Sequence, residues 1–335
     1  MQMENEFIIS VALISYNQEN YVQKALESIL KQKTGFKYEV LISDDASSDN
    51  TAVILKNICK HNTNNNAVIR LLCRNENVGA TTNAYEILKR AKGKYIASLE
   101  GDDYWVDECF LQRQVDFLEE HDEYIGVQDK CIVVDKDGNP IQDKNTGKGT
   151  DFWIYNKSIY GIEDLEEWKM PGHISALVYR NIYMDKTNKG YLLKKYHGVV
   201  GDKTILMLLV SKGNIYCTDR VSMNYRFVTV KTANNWMSEK NEAMRRYDEY
   251  KMIFRIENFF KSEGFNTNME KLKHSKIAAI AIIFMQKPNR YRFKTMMKII
   301  LYRKRPISDL LIAINAIIQK LYWKMKGQPD HRVSV

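Results

Sequence analysis

The sequence predicts an α/β domain on a mostly parallel central sheet, followed by a C-terminal helical extension. Three patterns carry that expectation. Apolar strand-like runs alternate with amphipathic helical stretches over roughly the first 135 residues, two of those runs end in clustered acids, and the pattern is helical from Ser238 to about Lys326.

Ile8 to Ile14 reads as a buried strand, followed by Ser15-Tyr16-Asn17 and a helix that places Val22, Ala25, Leu26, Ile29 and Leu30 on one stripe. A second strand, Tyr38 to Ile42, runs to Asp44, and a helix from about Asp49 to Lys60 follows it. A third strand covers Val68 to Cys73, a helix about Thr81 to Ala91, and a fourth strand ends at Leu99. Strands joined through helices require crossovers, so they predict parallel pairing with both faces covered. Ligands of such sheets sit at the carboxyl ends of the strands. Beyond Trp105 a helix carries Leu111, Val115 and Leu118, and a strand near Ile125 to Val134 turns at Asp137-Gly138, a hairpin signal. Asn139 to Trp168 has no clear period and reads as long loops of the kind that carry specificity. Regular structure resumes at Ile174 to Tyr179, in a helix from Asp202 to Lys212, and in strand-like Ile215 to Thr218 and Val221 to Phe227. The final helical stretch breaks near Gly264, Pro288 and Pro306.

A chain of 335 residues can bury a substantial core. The net charge of +9 is concentrated in the tail, where 12 Lys and Arg face 2 Asp and Glu from Lys287 onward. The cysteines Cys59, Cys73, Cys109, Cys131 and Cys217 are scattered, without C-x-x-C spacing, which fits reduced thiols in a cytosolic setting and argues against a zinc site. Met1 to Glu6 has no basic leader region. The longest clean apolar run, Ile277 to Met285, falls far short of the roughly 20 residues a spanning helix needs, so neither secretion nor a transmembrane span is expected.

The chemistry concentrates at two strand ends. Tyr95 to Leu99 runs into Glu100, Asp102 and Asp103; Tyr38 to Ile42 runs into Asp44, Asp45 and Asp49. Closely packed carboxylates repel one another unless a divalent cation neutralises them. The plainer alternative is an acidic turn capping the next helix. Two acidic strand ends in one α/β segment favour a single site, where one carboxylate can hydrogen-bond a nucleotide while others hold a metal against its diphosphate. The turn after the first strand lacks the glycines of a dinucleotide fingerprint, and no P-loop occurs. A metal-dependent user of nucleotide diphosphates fits better than a dehydrogenase.

These residues make the chain resemble the inverting family 2 glycosyltransferases of GT-A fold, especially bacterial members that build capsular, lipopolysaccharide or other surface polysaccharides. The resemblance covers roughly residues 7 to 236. It rests on Val11 to Asn17, on Asp44-Asp45-Ala46-Ser47-Ser48-Asp49-Asn50-Thr51, on Asn77-Val78-Gly79 with Asn83, on Lys92-Gly93-Lys94-Tyr95-Ile96, and on Leu99-Glu100-Gly101-Asp102-Asp103-Tyr104-Trp105. It implies a catalytic domain over 1–236 and a basic helical region over 237–335. It implies transfer of a hexosyl or hexosaminyl group from a nucleotide-sugar donor, a UDP-sugar foremost, to a glycan or lipid-linked acceptor. A catalytically silent protein of the same fold, binding nucleotide or glycan in an assembly complex, is the alternative.

The resemblance also assigns places. Ser15, Tyr16, Asn17, Asp44, Asp45, Asn83, Glu100 and Asp102 fall around the donor, with Asp45 as the carboxylate that reads the base. Glu100, Asp102 and Asp103 occupy the D-x-D region, its first acid replaced by Glu, and Asp102 or Asp103 would hold Mn²⁺ or Mg²⁺. Asp202, after Gly201 at a helix start, falls at the family's general base; the alternative is a plain helix cap. His173 and Trp105 fall on the acceptor side. The His that family members often carry after a Tyr-Arg pair is missing from Tyr225-Arg226-Phe227-Val228, which leaves Arg226 or Lys231 to meet the phosphate charge.

The tail interleaves Ile299-Ile300-Leu301 and Leu310-Leu311-Ile312 with Arg303, Lys304, Arg305, Lys320, Lys324 and Lys326, close to Tyr322 and Trp323. Basic amphipathic helices can lie on anionic membranes, which would place a cytoplasmic protein at the inner face of the plasma membrane. Packing with a solvated basic face, or a homodimer contact, are the alternatives. No motif supports nucleic-acid binding.

Overall fold

The computed structural model describes residues 7–141, 155–184, 201–227, 242–302 and 306–325. The chain divides into two compact units, one comprising Met1–Leu165 with Lys169–Thr229, the other Glu166–Trp168 with Val230–Val335.

The first unit contains, in order, β1 (Ile9–Ser15), α1 (Val22–Leu30), β2 (Tyr38–Asp44), α2 (Thr51–Lys60), β3 (Ala67–Cys73), α3 (Ala80–Leu88), β4 (Tyr95–Glu100), β5 (Tyr104–Trp105), α4 (Phe110–Glu120), β6 (Tyr124–Val134), β7 (Ile159–Tyr160), α5 (Ile162–Glu166), β8 (Leu177–Arg180), α6 (Gly201–Val210) and β9 (Asn214–Arg226). The strands form one sheet in the order β3-β2-β1-β4-β8-β6-β9-β5, with β7 paired to β9. The half that bears β3, β2, β1 and β4 is parallel. β8 then joins it antiparallel to both β4 and β6.

Parallel strands covered on both faces read as continuous apolar runs, and β2 is buried at every position. Its one acid away from the strand end, Glu39, accepts hydrogen bonds from Ser10 Oγ and from the Lys92 backbone N–H, each at 2.5 Å. In one core cluster Val22, Ala25, Leu26 and Ile29 of α1 pack with β1, β2, β4 and with Phe110, Leu111, Val115 and Leu118 of α4. The order 3-2-1-4 makes the carboxyl ends of β1 and β4 the switch point where an open α/β sheet leaves a crevice.

Three differences from the expected elements have local causes. The two runs expected at residues 215–218 and 221–227 are one strand, β9, whose register with β6 shifts around Lys130; the polar Thr218-Asp219-Arg220 sits at that irregularity, where Lys130 pairs with Asp219 at 2.6 Å. The turn at Asp137-Gly138 forms, with Gly138 at φ +92°. Among the described residues the expected hairpin extends only to an isolated antiparallel bridge between Val134 and Pro140, and residues 142–154 lie outside them. Of the expected loop Asn139 to Trp168, residues 142–154 lie outside the described residues, and the remainder holds β7 and α5.

The second unit is helical: α7 (Glu242–Ser262), α8 (Glu270–Gln286), α9 (Arg290–Tyr302) and α10 (Pro306–Met325). Its breaks fall where the sequence places them. Gly264, at φ +88°, ends α7 in the left-handed conformation that glycine adopts without strain. Pro288 follows α8, and Pro306 opens α10, where a missing N–H costs nothing. Tyr250, Ile277, Ile280, Ala281, Met296, Ile299, Ile300 and Ala313 form a core cluster within it.

Candidate active site

Register brings the acidic strand ends level. Ser15 of β1 is opposite Asp44 of β2, and Ile14 is opposite Glu100 of β4. The turn after β1 is laced to the turn after β2. The Asn17 N–H donates to Ser47 Oγ (2.9 Å), the Gln18 N–H to Thr51 Oγ1 (2.8 Å), and the Glu19 N–H to Asp49 Oδ2 (3.1 Å). In return the Ser48 N–H donates to Asn17 Oδ1 (2.8 Å) and the Asn50 N–H to Glu19 Oε2 (3.0 Å). Two residues in these turns are left-handed, Asn17 at φ +51° and Ala46 at φ +60°. For Ala46 that conformation costs about 1–2 kcal/mol, and the lacing holds it there.

Several residues expected at the donor are already occupied within the protein. Asp44 accepts from Ser47 Oγ (2.5 Å), the Ser47 N–H (3.1 Å) and Ser15 Oγ (3.3 Å). Asp45 accepts the Val78 and Gly79 N–H groups, one on each oxygen at 2.9 Å, so it anchors the turn before α3; a carboxylate with about four acceptor positions keeps capacity for a base N–H. Asn83 is corrected from a donor contact to a support. It is 1% exposed, its Oδ1 accepts from Ser43 Oγ (2.5 Å) and Arg74 Nε (2.8 Å), and its Nδ2 donates to the Ser43 carbonyl. It thereby aims Arg74, whose Nε lies 3.9 Å from Asp45 and whose buried Nη2 has no hydrogen-bond partner. No sequence pattern singled out Arg74. Of Ser15, Tyr16 and Asn17, only Tyr16 is exposed.

Glu100, Asp102 and Asp103 converge, each offering one oxygen within 4.8 Å of the others. Glu100 and Asp102 are half-buried and Asp103 is buried. Gly101 allows this approach: a Cβ there would lie 2.3 Å from Gln18 Oε1 and 3.0 Å from Ser15 Cβ. At Asp102 the Gln18 side chain opposes the upward push of burial, and the Arg226 N–H donates to Asp103 Oδ1 (2.8 Å). Asp102 Oδ1 and Asp103 Oδ2 are buried without partners. Orphaned hard oxygens in a cluster of like charge fit Mn²⁺ or Mg²⁺. Burial, with the Asp102 and Asp202 charges adding to it, pushes the Glu100 carboxyl up to about 8. Burial also raises Asp102 and, more strongly, Asp103.

These shifts set a sign for stability in metal-free protein. Carboxyls raised in the folded state bind more protons than the unfolded chain does, so stability falls as pH rises from the unfolded carboxylate range through about 8. His173, lowered to about 4 by burial, opposes this only below its unfolded value near 6.5. Chelated protein should therefore melt higher at about pH 6.5 than at about pH 8.5, an order that thermal scans at matched ionic strength read directly.

Asp202 lies in the first turn of α6, where its charge suits the helix dipole. Burial raises its carboxyl, and its charge acts on Glu100 and on Tyr225. Asp202 is thus brought to the acidic cluster from a distant part of the chain. Tyr225, named in the sequence only as part of the Tyr-Arg pair, feels the charge of all four acids and stacks on His173 at 4.5 Å between ring centroids.

Two acceptor-side expectations change. Trp105 is 4% exposed within the core cluster and donates its indole N–H to the Ser175 carbonyl (2.8 Å), so it supports the His173–Ser175 segment. His173 is buried, its Nδ1 accepts the Ser175 N–H (3.3 Å), and it lies 3.7 Å from Asp103 Oδ2, against the acids and not on an open acceptor face. Arg226 is likewise engaged. Its Nε donates to the Asp102 carbonyl (2.9 Å), its Nη1 to the carbonyls of Asp135 (3.0 Å) and Lys136 (2.6 Å), and its guanidinium covers the Tyr21 ring at 4.4 Å. It braces the acidic turn. Lys231 lies outside the described residues.

Residues 10–185 match the model of glycosyl transferase family 2. The chain belongs to that family. The chain is 38% identical over 130 residues to an uncharacterised Mycobacterium tuberculosis protein, covering 39% of this chain and 37% of that one. It is 31% identical over 134 residues to the putative teichuronic acid biosynthesis glycosyltransferase TuaG of Bacillus subtilis, 40% of this chain and 50% of TuaG. Over 102 residues it is 33% identical to the Escherichia coli UDP-Glc:α-D-GlcNAc-diphosphoundecaprenol β-1,3-glucosyltransferase WfgD, 30% of this chain and 38% of WfgD. The match thus spans half or less of these relatives. Among solved structures, an S. aureus TarS fragment crystallised with UDP-GlcNAc superposes with a TM-score of 0.61 at 17% identity, covering 96% of this chain and 93% of that one. The shared fold is GT-A, an α/β sheet with C-terminal helices. Among the described residues no helix is long and apolar enough to cross a membrane.

Proposed function

We propose that this glycosyltransferase moves a sugar from a UDP-sugar to a hydroxyl of a glycan or lipid-linked acceptor during surface-polysaccharide synthesis, with inversion at the anomeric carbon. The observation that carries the reading is the convergence of Glu100, Asp102 and Asp103, with two orphaned buried oxygens, beside Asp202 and level with the Asp44 strand end. The activities named for TuaG and WfgD, polymer synthesis and transfer onto a lipid diphosphate, support the substrate class.

Asp45 and Arg74 form the nucleoside end of the site, and Tyr16, just after β1, is exposed. Asp102, with Asp103 and Glu100, would hold Mn²⁺ or Mg²⁺. The ion, when bound, offsets the charge of the donor diphosphate and of the nucleoside diphosphate that leaves. Asp202 takes the proton of the acceptor hydroxyl as its oxygen bonds the anomeric carbon from the face opposite the departing diphosphate. A carboxyl raised by burial suits this role, because a base is most effective when its pKa approaches the working pH. The Arg226 N–H and the packing of Trp105 hold the acids in place. Nucleotide release from a panel of UDP-sugars, with Mn²⁺ and with chelator, tests the reading.

A further inference from the structure

The helix α10 leaves its most apolar face uncovered. Ile307 is 78% exposed, Leu311 61%, Ile318 58%, Leu321 46% and Ile314 43%. At 3.6 residues per turn these positions fall within an arc of about 80°, so they form one stripe along the helix and not a scatter of surface apolar residues. The opposite side of α10 is covered: Ala313 and Asp309 are buried. Asp309 is the only acid in the helix, so the exposed stripe carries no negative charge. The helix α9 packs with α8 and α10 and contains no acid. Its exposed residues mix Tyr291 and Phe293 with Arg290, Lys294 and Lys298.

We propose that the stripe Ile307-Leu311-Ile314-Ile318-Leu321 on α10, with the exposed cations of α9, is a docking surface for an anionic lipid bilayer, on which α10 lies in the plane of the headgroups. The charge selects this occupant over a second copy of the chain. A symmetric contact sets the same patch against itself, and here it would bring together two segments that each carry 12 basic against 2 acidic residues from Lys287 onward. An anionic headgroup layer meets the same surface with opposite charge, while acyl chains accept the apolar stripe. Because no described helix is long and apolar enough to span, the helix lies along the interface. The stripe belongs to the helical unit and the acidic cluster to the other, so vesicle binding and sugar transfer can fail independently.

Flotation of the full-length protein with phosphatidylglycerol–phosphatidylcholine vesicles at low salt tests it, phosphatidylcholine vesicles serving as the control. The expected result is binding to the anionic vesicles that drops about tenfold or more on neutral vesicles and weakens with salt. The triple variant Leu311→Asp, Ile314→Asp, Ile318→Asp should lose binding by a similar factor with its melting temperature unchanged. If that variant does not fold, the single Ile314→Trp protein supplies the readout, with emission that shifts to the blue on anionic vesicles. The proposal is overturned by a full-length protein that ignores anionic vesicles at low salt, by a folded triple variant that floats like the parent, or by Ile314→Trp emission that does not move. A dimer that the triple variant dissociates, in a protein that does not float, would assign the stripe to a second copy instead.

Discussion

Asp202→Asn should lower turnover by roughly 10²-fold or more while donor affinity stays nearly unchanged, because general-base catalysis contributes about 10²–10⁴. Asn matches Asp in size and is compatible with a helix start, so α6 should persist. The separation of effects is the informative part. Asp202 acts electrostatically on Glu100 and Tyr225, within the same acidic setting as the metal candidates. A role in holding the ion would appear in donor affinity, whereas a role as base would appear in turnover alone. A variant that transfers sugar at the parent rate would return Asp202 to a helix-terminus residue.

The second large effect concerns the acids at the end of β4. Calorimetric titration with UDP should lose most of its heat in chelator and in Asp102→Ala. Without the cation, the diphosphate would meet three clustered acids, of which Glu100 is raised to about 8 by burial first and by the Asp102 and Asp202 charges second. Asp103→Ala is a different experiment. Asp103 is 1% exposed and accepts the Arg226 N–H, so its removal also loosens β9 against the acidic turn, and its loss of binding should come with a lower melting temperature. Unchanged UDP affinity in chelator and in Asp102→Ala would remove the metal site from the account.

How far the sequence could be read depended on the kind of signal. Strands β1 to β4 and helices α1 to α3 were legible because their apolar periods are long and uninterrupted, and the acidic strand ends followed from those boundaries. The single strand β9 was not, since its polar irregularity at Thr218-Asp219-Arg220 imitates a turn. Trp105 and Asn83 carried recognisable residue types in the right order, but burial, which depends on the whole sheet, decides that they support the site from behind. Arg74 and Tyr225 were missed for the complementary reason. Arg74 stands alone in its segment and Tyr225 is legible only as half of a Tyr-Arg pair; each becomes informative when the fold sets it beside Asp45 or beside Glu100, Asp103 and Asp202. The uncovered stripe of α10 was visible only as alternating apolar and basic runs; the structure separates which of those residues are buried in the helical unit and which remain outside.

The most direct measurement of the central claim is release of UDP when the purified protein, with Mn²⁺, is given a panel of UDP-sugars and a lipid-linked glycan acceptor. The account predicts that at least one donor yields acceptor-dependent UDP, that chelator abolishes it, and that Asp202→Asn reduces it by about 10²-fold or more. Folded protein that binds UDP with Mn²⁺ yet releases none from any donor would contradict the account and identify a silent member of the same fold.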